Sequence, residues 1–283
     1  MTATYPRRIH ITGAPRSGTT LLHVLFLTCF DIDGRVETEQ RLRRPIPPGA
    51  RVTCTKCPGE VGAAAAIARL DPRLDVICIR RDPRDVITSQ HNRYPGLYFT
   101  NIRVWMRAEK AAARARGQSR FHVIDYEQLV RDPNAVQQAL TRAMPWLRPV
   151  ARFSDYHLQI ADPNAEWVRA MHDIRPITDA GVGGWVRHPG RIKGQESLHG
   201  TLGQILIALG YEHDHGWTAR LGNVEPDHTP GVNPERLTLR RALVQHLPPV
   251  RDILLYFARR AAWRRSRPDA SGFRSGVPES LTA

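Results

Sequence analysis

Short runs rich in β-branched residues alternate along this chain with stretches of helical periodicity. That is the pattern of repeated βαβ units and therefore of a parallel sheet flanked by helices. The runs Arg8–Thr12, Arg51–Thr55, Asp75–Arg80 and Phe121–Asp125 read as strands. Helical patterns follow them at Gly18–Cys29, Glu60–Leu70, Arg84–Asn92, Asn101–Arg116 and Asn134–Met144, with another at Leu198–Leu209 closed by Gly210, a suitable C-cap residue. Between the last two lies Asp179–Gly194, DAGVGGWVRHPGRIKG, whose five glycines and three basic residues read as a flexible loop with phosphate-seeking side chains. From about Gly222 the character changes. Pro226, Pro230 and Pro234 mark a linker, two basic helices are expected up to about Arg267, and a disordered tail from Pro268 to Ala283. The expected division is thus a main domain over 1–222 and a basic helical extension over 223–283.

A chain of 283 residues can bury a full α/β core. Its 41% hydrophobic and 24% charged residues exclude wholesale disorder, and no apolar run approaches the roughly 20 residues of a membrane span. The start, MTATYPRRIHITG, enters a strand pattern at once, so a cytoplasmic location is the expectation. Cys29, Cys54, Cys57 and Cys78 are too few and too scattered for a disulfide framework, and the CxxC of Cys54 and Cys57 has no second pair at zinc-site spacing.

Charge changes the picture. The net charge is +14, and of the 41 basic residues only Lys56, Lys110 and Lys193 are lysine. Arginine suits bidentate recognition of phosphate and sulfate. Nine arginines against the single acid Asp252 crowd residues 236–267, while the rest are dispersed. Dispersal argues against nucleic acid as a partner. In the basic segment Val250, Ile253, Leu254, Phe257 and Ala261 share a helical face, so peripheral contact with an anionic membrane through 250–265 stands beside simple packing of a terminal helix.

The candidate chemistry begins at RRIHITGAPRSGTTLLHVLF. Gly13, four intervening residues and Gly18-Thr19-Thr20 stand between a strand and a helix, the spacing of a phosphate-cradling loop. A nucleoside-triphosphate loop has Lys after its second glycine; here that place is Thr19, and the basic residue is inside the loop, at Arg16. A second strand-turn-helix, DVICIRRDPRDVITSQH, carries Arg81 and, eight positions on, Ser89. A third strand end, RVTCTKCPG, carries Lys56 before Cys57 and Pro58. In a parallel sheet these strand C-termini share one edge, where ligands of doubly wound folds bind.

PRSGTT resembles the 5′-phosphosulfate loop of sulfotransferases that use 3′-phosphoadenosine 5′-phosphosulfate (PAPS), in the branch that carries Arg at this position. The resemblance, which extends over residues 8–215, implies a P-loop-like parallel sheet (the sulfotransferase fold) and a set of roles. Arg16, Ser17, Gly18, Thr19 and Thr20 would bind the donor's 5′-phosphosulfate; Arg81 and Ser89 would bind its 3′-phosphate; Lys56 would sit near the transferring sulfuryl group. From the glycine-rich loop, Arg187 is the first choice for the 3′-phosphate, with Arg191 and Lys193 as alternatives. Glu37, with Glu39 as competitor, occupies the place where tyrosylprotein sulfotransferases supply a catalytic base, so the catalytic set is Arg16, Lys56 and Glu37. Such transfer needs an in-line donor, charge stabilisation and a base, with no metal required. The acceptor would be a hydroxyl or amine on a small molecule, lipid or carbohydrate, met by segments such as Arg41–Ala50 and Tyr94–Asn101. The competing readings are a P-loop kinase, which predicts Lys at Thr19, and a non-catalytic sulfotransferase-like binder that uses its basic surface.

Overall fold

A computed structural model describes residues 5–91, 94–238 and 247–265. Five parallel strands, β1 (Arg7–Gly13), β2 (Gly34–Glu39), β3 (Val52–Lys56), β4 (Leu74–Arg80) and β5 (Phe121–Asp125), form one sheet in the order β2-β3-β1-β4-β5. The four expected strands are present, and β2 is an addition on the edge. Helices cover both faces: α1 (Thr19–Cys29), α2 (Val61–Leu70), α3 (Pro83–Ile87), α4 (Ile102–Ala115), α5 (Tyr126–Arg131), α6 (Pro133–Ala143), α7 (Ala165–Met171), α8 (Pro189–His199), α9 (Gly203–Ala208) and α10 (Leu247–Arg265). This is the α/β architecture that the alternating pattern called for.

The period-two alternation of β4 explains the layering. Ile77 and Ile79 face a core shared with α1, α6 and the segment around Phe153, whereas Val76 and Cys78 face a core shared with α2, α4 and the Trp185–Trp217 region. Central β1 departs from this rule on one face. Ile9 and Ile11 join the first core, but Arg8, His10 and Thr12 point the other way and are also buried. Burial of such groups is tolerable only with partners. Arg8 donates to Thr55 Oγ1 (3.0 Å) and Leu42 O (2.8 Å), His10 Nδ1 lies 2.9 Å from Thr55 Oγ1, and Thr12 donates to Cys57 O (2.9 Å). A polar seam thus fastens β3 to β1 below Lys56.

Several boundaries moved for local reasons. The helix expected over Arg84–Asn92 stops at Ile87, where Thr88 turns its hydroxyl back to Arg84 O (2.7 Å) and the chain enters a bridge between Gln90 and Tyr98. The helix expected over Leu198–Leu209 is two helices, α8 and α9, separated at Gly200 with φ 90°. The loop expected over Asp179–Gly194 condenses into a 3-10 turn at Gly184–Arg187 and the start of α8.

Beyond Gly222, the segment 223–238 lies against the domain: Asp227 N donates to Gly190 O (2.8 Å) and Val232 N to Tyr98 O (3.0 Å). Helix α10 packs on α2. Tyr256 donates to Asp71 (2.7 Å), Arg260 pairs with the same carboxylate, and Asp252 holds Arg41 (3.2 Å) and Arg43 (3.1 Å). Its Ile253 and Phe257 pack inward while Val250 and Leu254 stay exposed, so the apolar face read from the sequence is split between core and surface. Among the described residues no helix is long and apolar enough to cross a membrane. The expected tail from Pro268 lies outside the described residues.

Candidate active site

The turn from β1 into α1 is shaped by its glycines. Gly13 has φ 152° and Gly18 φ 99°, and an added Cβ at Gly13 would meet Ile79 O at 2.3 Å. Arg16 holds a left-handed φ of 70°, uncommon for a residue with a side chain. Ser17 closes the loop from inside: its hydroxyl (2.6 Å) and its backbone N–H (3.2 Å) both donate to Ala14 O and the residue is fully buried, so it shapes the loop whose neighbouring amides face outward. Gly18 provides no side-chain cap for α1, so the first amides of that helix are left to an anion or to water.

Two guanidiniums meet at this loop. Arg81, at the exit of β4, donates to Arg16 O (3.1 Å) and Gly181 O (2.5 Å) and lies over the Tyr126 ring at 4.3 Å. Arg16 donates through Nε to Ser89 Oγ (2.7 Å) and faces the Phe99 ring at 5.4 Å. Burial first, and Arg81 next, push the Arg16 pKa down. A dianion between the two would relieve that repulsion. Lys56 ends β3 with only 5% exposure and donates to Thr20 Oγ1 (3.0 Å).

These groups line one cavity of about 930 Å³ at the C-terminal edge of the sheet, with Arg16, Gly18, Thr19, Thr20, Lys56, Arg81, Ser89 and Arg187 in its wall. The volume suits a nucleotide-sized ligand with room beside it, since ligand pockets span roughly 300–1,000 Å³. Of the three basic candidates after Gly184, only Arg187 is there. Arg191 is buried and donates to Thr229 O (2.6 Å) and Thr100 O (3.2 Å), and Lys193 donates to Gly222 O (2.8 Å) and Val224 O (3.1 Å); both are engaged in holding the 223–238 segment.

The two acids of β2 are treated differently. Both are exposed, but Glu37 stands outside the cavity wall; its carboxylate accepts from Asn164 (3.2 Å) and its backbone O from Trp167 Nε1 (3.0 Å). Glu39 lines the cavity, stands in register with Lys56, and accepts from the Cys57 thiol (3.5 Å). A shift of register between Arg35 and Glu39 separates the two environments.

Sequence reasoning did not single out His91, Arg169, Arg175 or Tyr156 as site residues, yet all line the cavity. No local motif marks them, because they reach it from separate segments, Arg169 from α7 and Tyr156 from a 3-10 turn. Of the segments expected near an acceptor, Tyr94 and Phe99 do line the cavity, and no residue of Arg41–Ala50 does.

A parallel sheet carrying a phosphate-type loop and basic residues at one edge has the form of an α/β protein with an anion-binding site at its strand ends. More particularly, residues 34–146 match the model described as the sulfotransferase family. The match begins after the Gly13–Thr20 loop, so the loop and the match are separate observations. No curated protein sequence matches the chain. Among solved structures, the sulfotransferase domain of a Synechococcus PCC 7002 olefin synthase aligns at 16% identity, covering 65% of this chain and 89% of that one, with a TM-score of 0.44. A mouse sulfotransferase complexed with PAP aligns at 16% identity over 65% of this chain and 79% of that one, TM-score 0.43. Likenesses at these scores carry no residue assignment.

Proposed function

We propose that this protein is a PAPS-dependent sulfotransferase that moves a sulfuryl group in line to a hydroxyl or amine acceptor. The observation that carries this reading is the convergence of the loop, Lys56 and the Arg81–Ser89–Arg187 group on a single cavity, with Thr19 where a kinase would place its phosphate-binding lysine.

The loop amides of Gly18–Thr20, the two threonine hydroxyls and Arg16 hold the 5′-phosphosulfate end. Arg81, Ser89 and Arg187 hold the 3′-phosphate. Lys56, kept straight by Thr20, offsets charge on the oxygens around the transferring sulfur and on the departing phosphate; fixed charges in a partly buried site need no reorganisation as the reaction proceeds. Glu39 takes the acceptor proton, because it faces the cavity beside Lys56 while Glu37 faces Asn164. The donor is PAPS, the scheme needs no metal, and the setting is cytoplasmic. The acceptor is a small molecule, lipid or carbohydrate entering past Tyr94 and Phe99. Peripheral contact with an anionic membrane through 250–265 rests on exposed Val250 and Leu254 beside exposed Arg251.

The test is transfer of labelled sulfate from PAPS across an acceptor panel, with product mass as readout. Lys56→Ala is expected to lower turnover by about 10²–10³, as for removal of a preorganised donor to developing charge. Transfer at wild-type rate in Lys56→Ala would remove Lys56 from the mechanism, and failure of the wild type to bind adenosine 3′,5′-bisphosphate would remove PAPS as donor.

A further inference from the structure

Of the four acids in the cavity wall, Glu39, Asp85, Glu166 and Asp173, only Asp85 is buried, and its charge opposes the donor that the cavity is read to hold. Asp85 lies on α3 with its carboxylate 2% exposed, and a buried anion beside phosphate sites would only repel a polyanion unless its charge were used elsewhere. It is used elsewhere. Oδ2 accepts from Gly183 N (2.8 Å) and Oδ1 from Trp185 N (2.9 Å), two amides of a loop 98 and 100 residues further along the chain. Arg81 stands 3.9 Å away and donates in turn to Gly181 O.

The rest of the same turn grips the loop from its other side. Arg84 lies over Trp185 at 4.2 Å and over Trp217 at 5.0 Å, and is itself held by Asp82 (2.7 Å) and Glu212 (2.5 Å). Gly183 takes a left-handed φ of 73°, which turns its N–H and that of Trp185 toward one carboxylate. Two residues past Trp185 comes Arg187. The charged turn Arg81–Asp85 therefore fixes both ends of the donor's 3′ side: Arg81 directly, and Arg187 by fixing the backbone that carries it.

We propose that Asp85 is a positioning residue for donor binding: by accepting from Gly183 and Trp185 together it sets the 181–187 loop so that Arg187 reaches into the cavity. This rests on the reading of Arg187 as a 3′-phosphate ligand. Only a carboxylate satisfies both amides, since asparagine would turn an NH₂ group against one of them.

The experiment is a double-mutant cycle on Asp85→Asn and Arg187→Ala, read by calorimetry with adenosine 3′,5′-bisphosphate and by steady-state kinetics. Asp85→Asn is expected to weaken product binding and raise the donor KM by about ten-fold or more, with kcat at saturating donor and the acceptor KM nearly unchanged. In the Arg187→Ala background the same change is expected to have little further effect, because its route of action is gone. Full additivity, or an equal loss in donor and acceptor KM, overturns the inference. An Arg187→Ala variant that binds product as the wild type does overturns the Arg187 reading and this inference together; absence of product binding by the wild type instead overturns the donor itself. Should Asp85→Asn fail to fold, hydrogen exchange of the wild type decides. The Gly183 and Trp185 amides are expected to be protected in the free protein and more so with product, and rapid exchange in both states refutes the role.

Discussion

Gly18→Ala tests how tightly the loop is coupled to the donor site. At φ 99° a residue with a Cβ is strained, by about 1–2 kcal/mol. The new methyl would also lie 2.6 Å from Tyr126 Cδ2 and 3.0 Å from Cε2, with Ile79 Cδ1 at 3.3 Å. Relieving such overpacking costs about 1–3 kcal/mol, so the combined penalty is about 2–5 kcal/mol. The collision matters more than the strain, because Tyr126 is the ring on which Arg81 rests. Moving that ring moves Arg81, and the expected result is a loss of affinity for adenosine 3′,5′-bisphosphate of about ten-fold or more, or roughly 1.4 kcal/mol. Gly49→Ala is the control: its φ is 82°, but nothing lies within 4 Å of the added methyl. It should lower the melting midpoint through strain alone and leave product affinity intact. Calorimetry and thermal unfolding of both variants decide the matter. Equal product affinity in Gly18→Ala, Gly49→Ala and the wild type would refute the coupling through Tyr126.

Further outcomes are expected at three other places. Glu39→Gln should cut turnover by about 10²–10⁴, the range for a general base, with product binding retained, while Glu37→Gln should leave turnover unchanged; the reverse order would return the base to Glu37. His23 is fully buried, and burial followed by Lys56 pushes its pKa from 6.5 down to about 3. Because the unfolded chain takes up this proton first, its contribution is complete above about pH 6.5 and is lost as pH falls toward 3, by up to ~1.4 kcal/mol per pH unit. Denaturant unfolding of His23→Gln from pH 7 to 4 should show a shallower decline than the wild type, and parallel curves would reject the assignment. Finally, replacing Val250 and Leu254 together by Asp should reduce sedimentation with phosphatidylserine vesicles while leaving neutral vesicles unaffected; unchanged sedimentation would dismiss membrane contact through α10.

How much of this was legible depended on where the determining contacts lie. Strands β1, β3, β4 and β5 announced themselves as runs rich in β-branched residues, and the loop, Lys56, Arg81 and Ser89 as strand-end motifs, because each is a local arrangement. Strand β2 was not visible. It is an exposed edge whose single apolar residue is Val36, and without it the shift that separates Glu37 from Glu39 had no signature. The glycines of 179–194 suggested flexibility, but Gly190 and Gly194 are there because α8 passes so close to the backbone around Asp227 that a methyl would collide with it. Composition alone cannot tell a glycine needed for motion from one needed for contact. Nor could it show Asp85 meeting Gly183 and Trp185 across about a hundred residues.

The place of β1 has a further consequence, for the birth of the molecule. The earliest made of the sheet's five strands, it is also the middle one, with β3 and β4 on its two sides. Its edge toward β4 must therefore wait, unpaired, until residue 80 has been made, several seconds at about 5–20 residues per second. Its loop is useless over that interval, since Lys56 and Arg81 arrive with the strands that flank it. A fragment beginning at residue 34 would keep β2 beside β3 and β4 beside β5 but leave nothing to join the two pairs, so the site and the sheet are made or lost together.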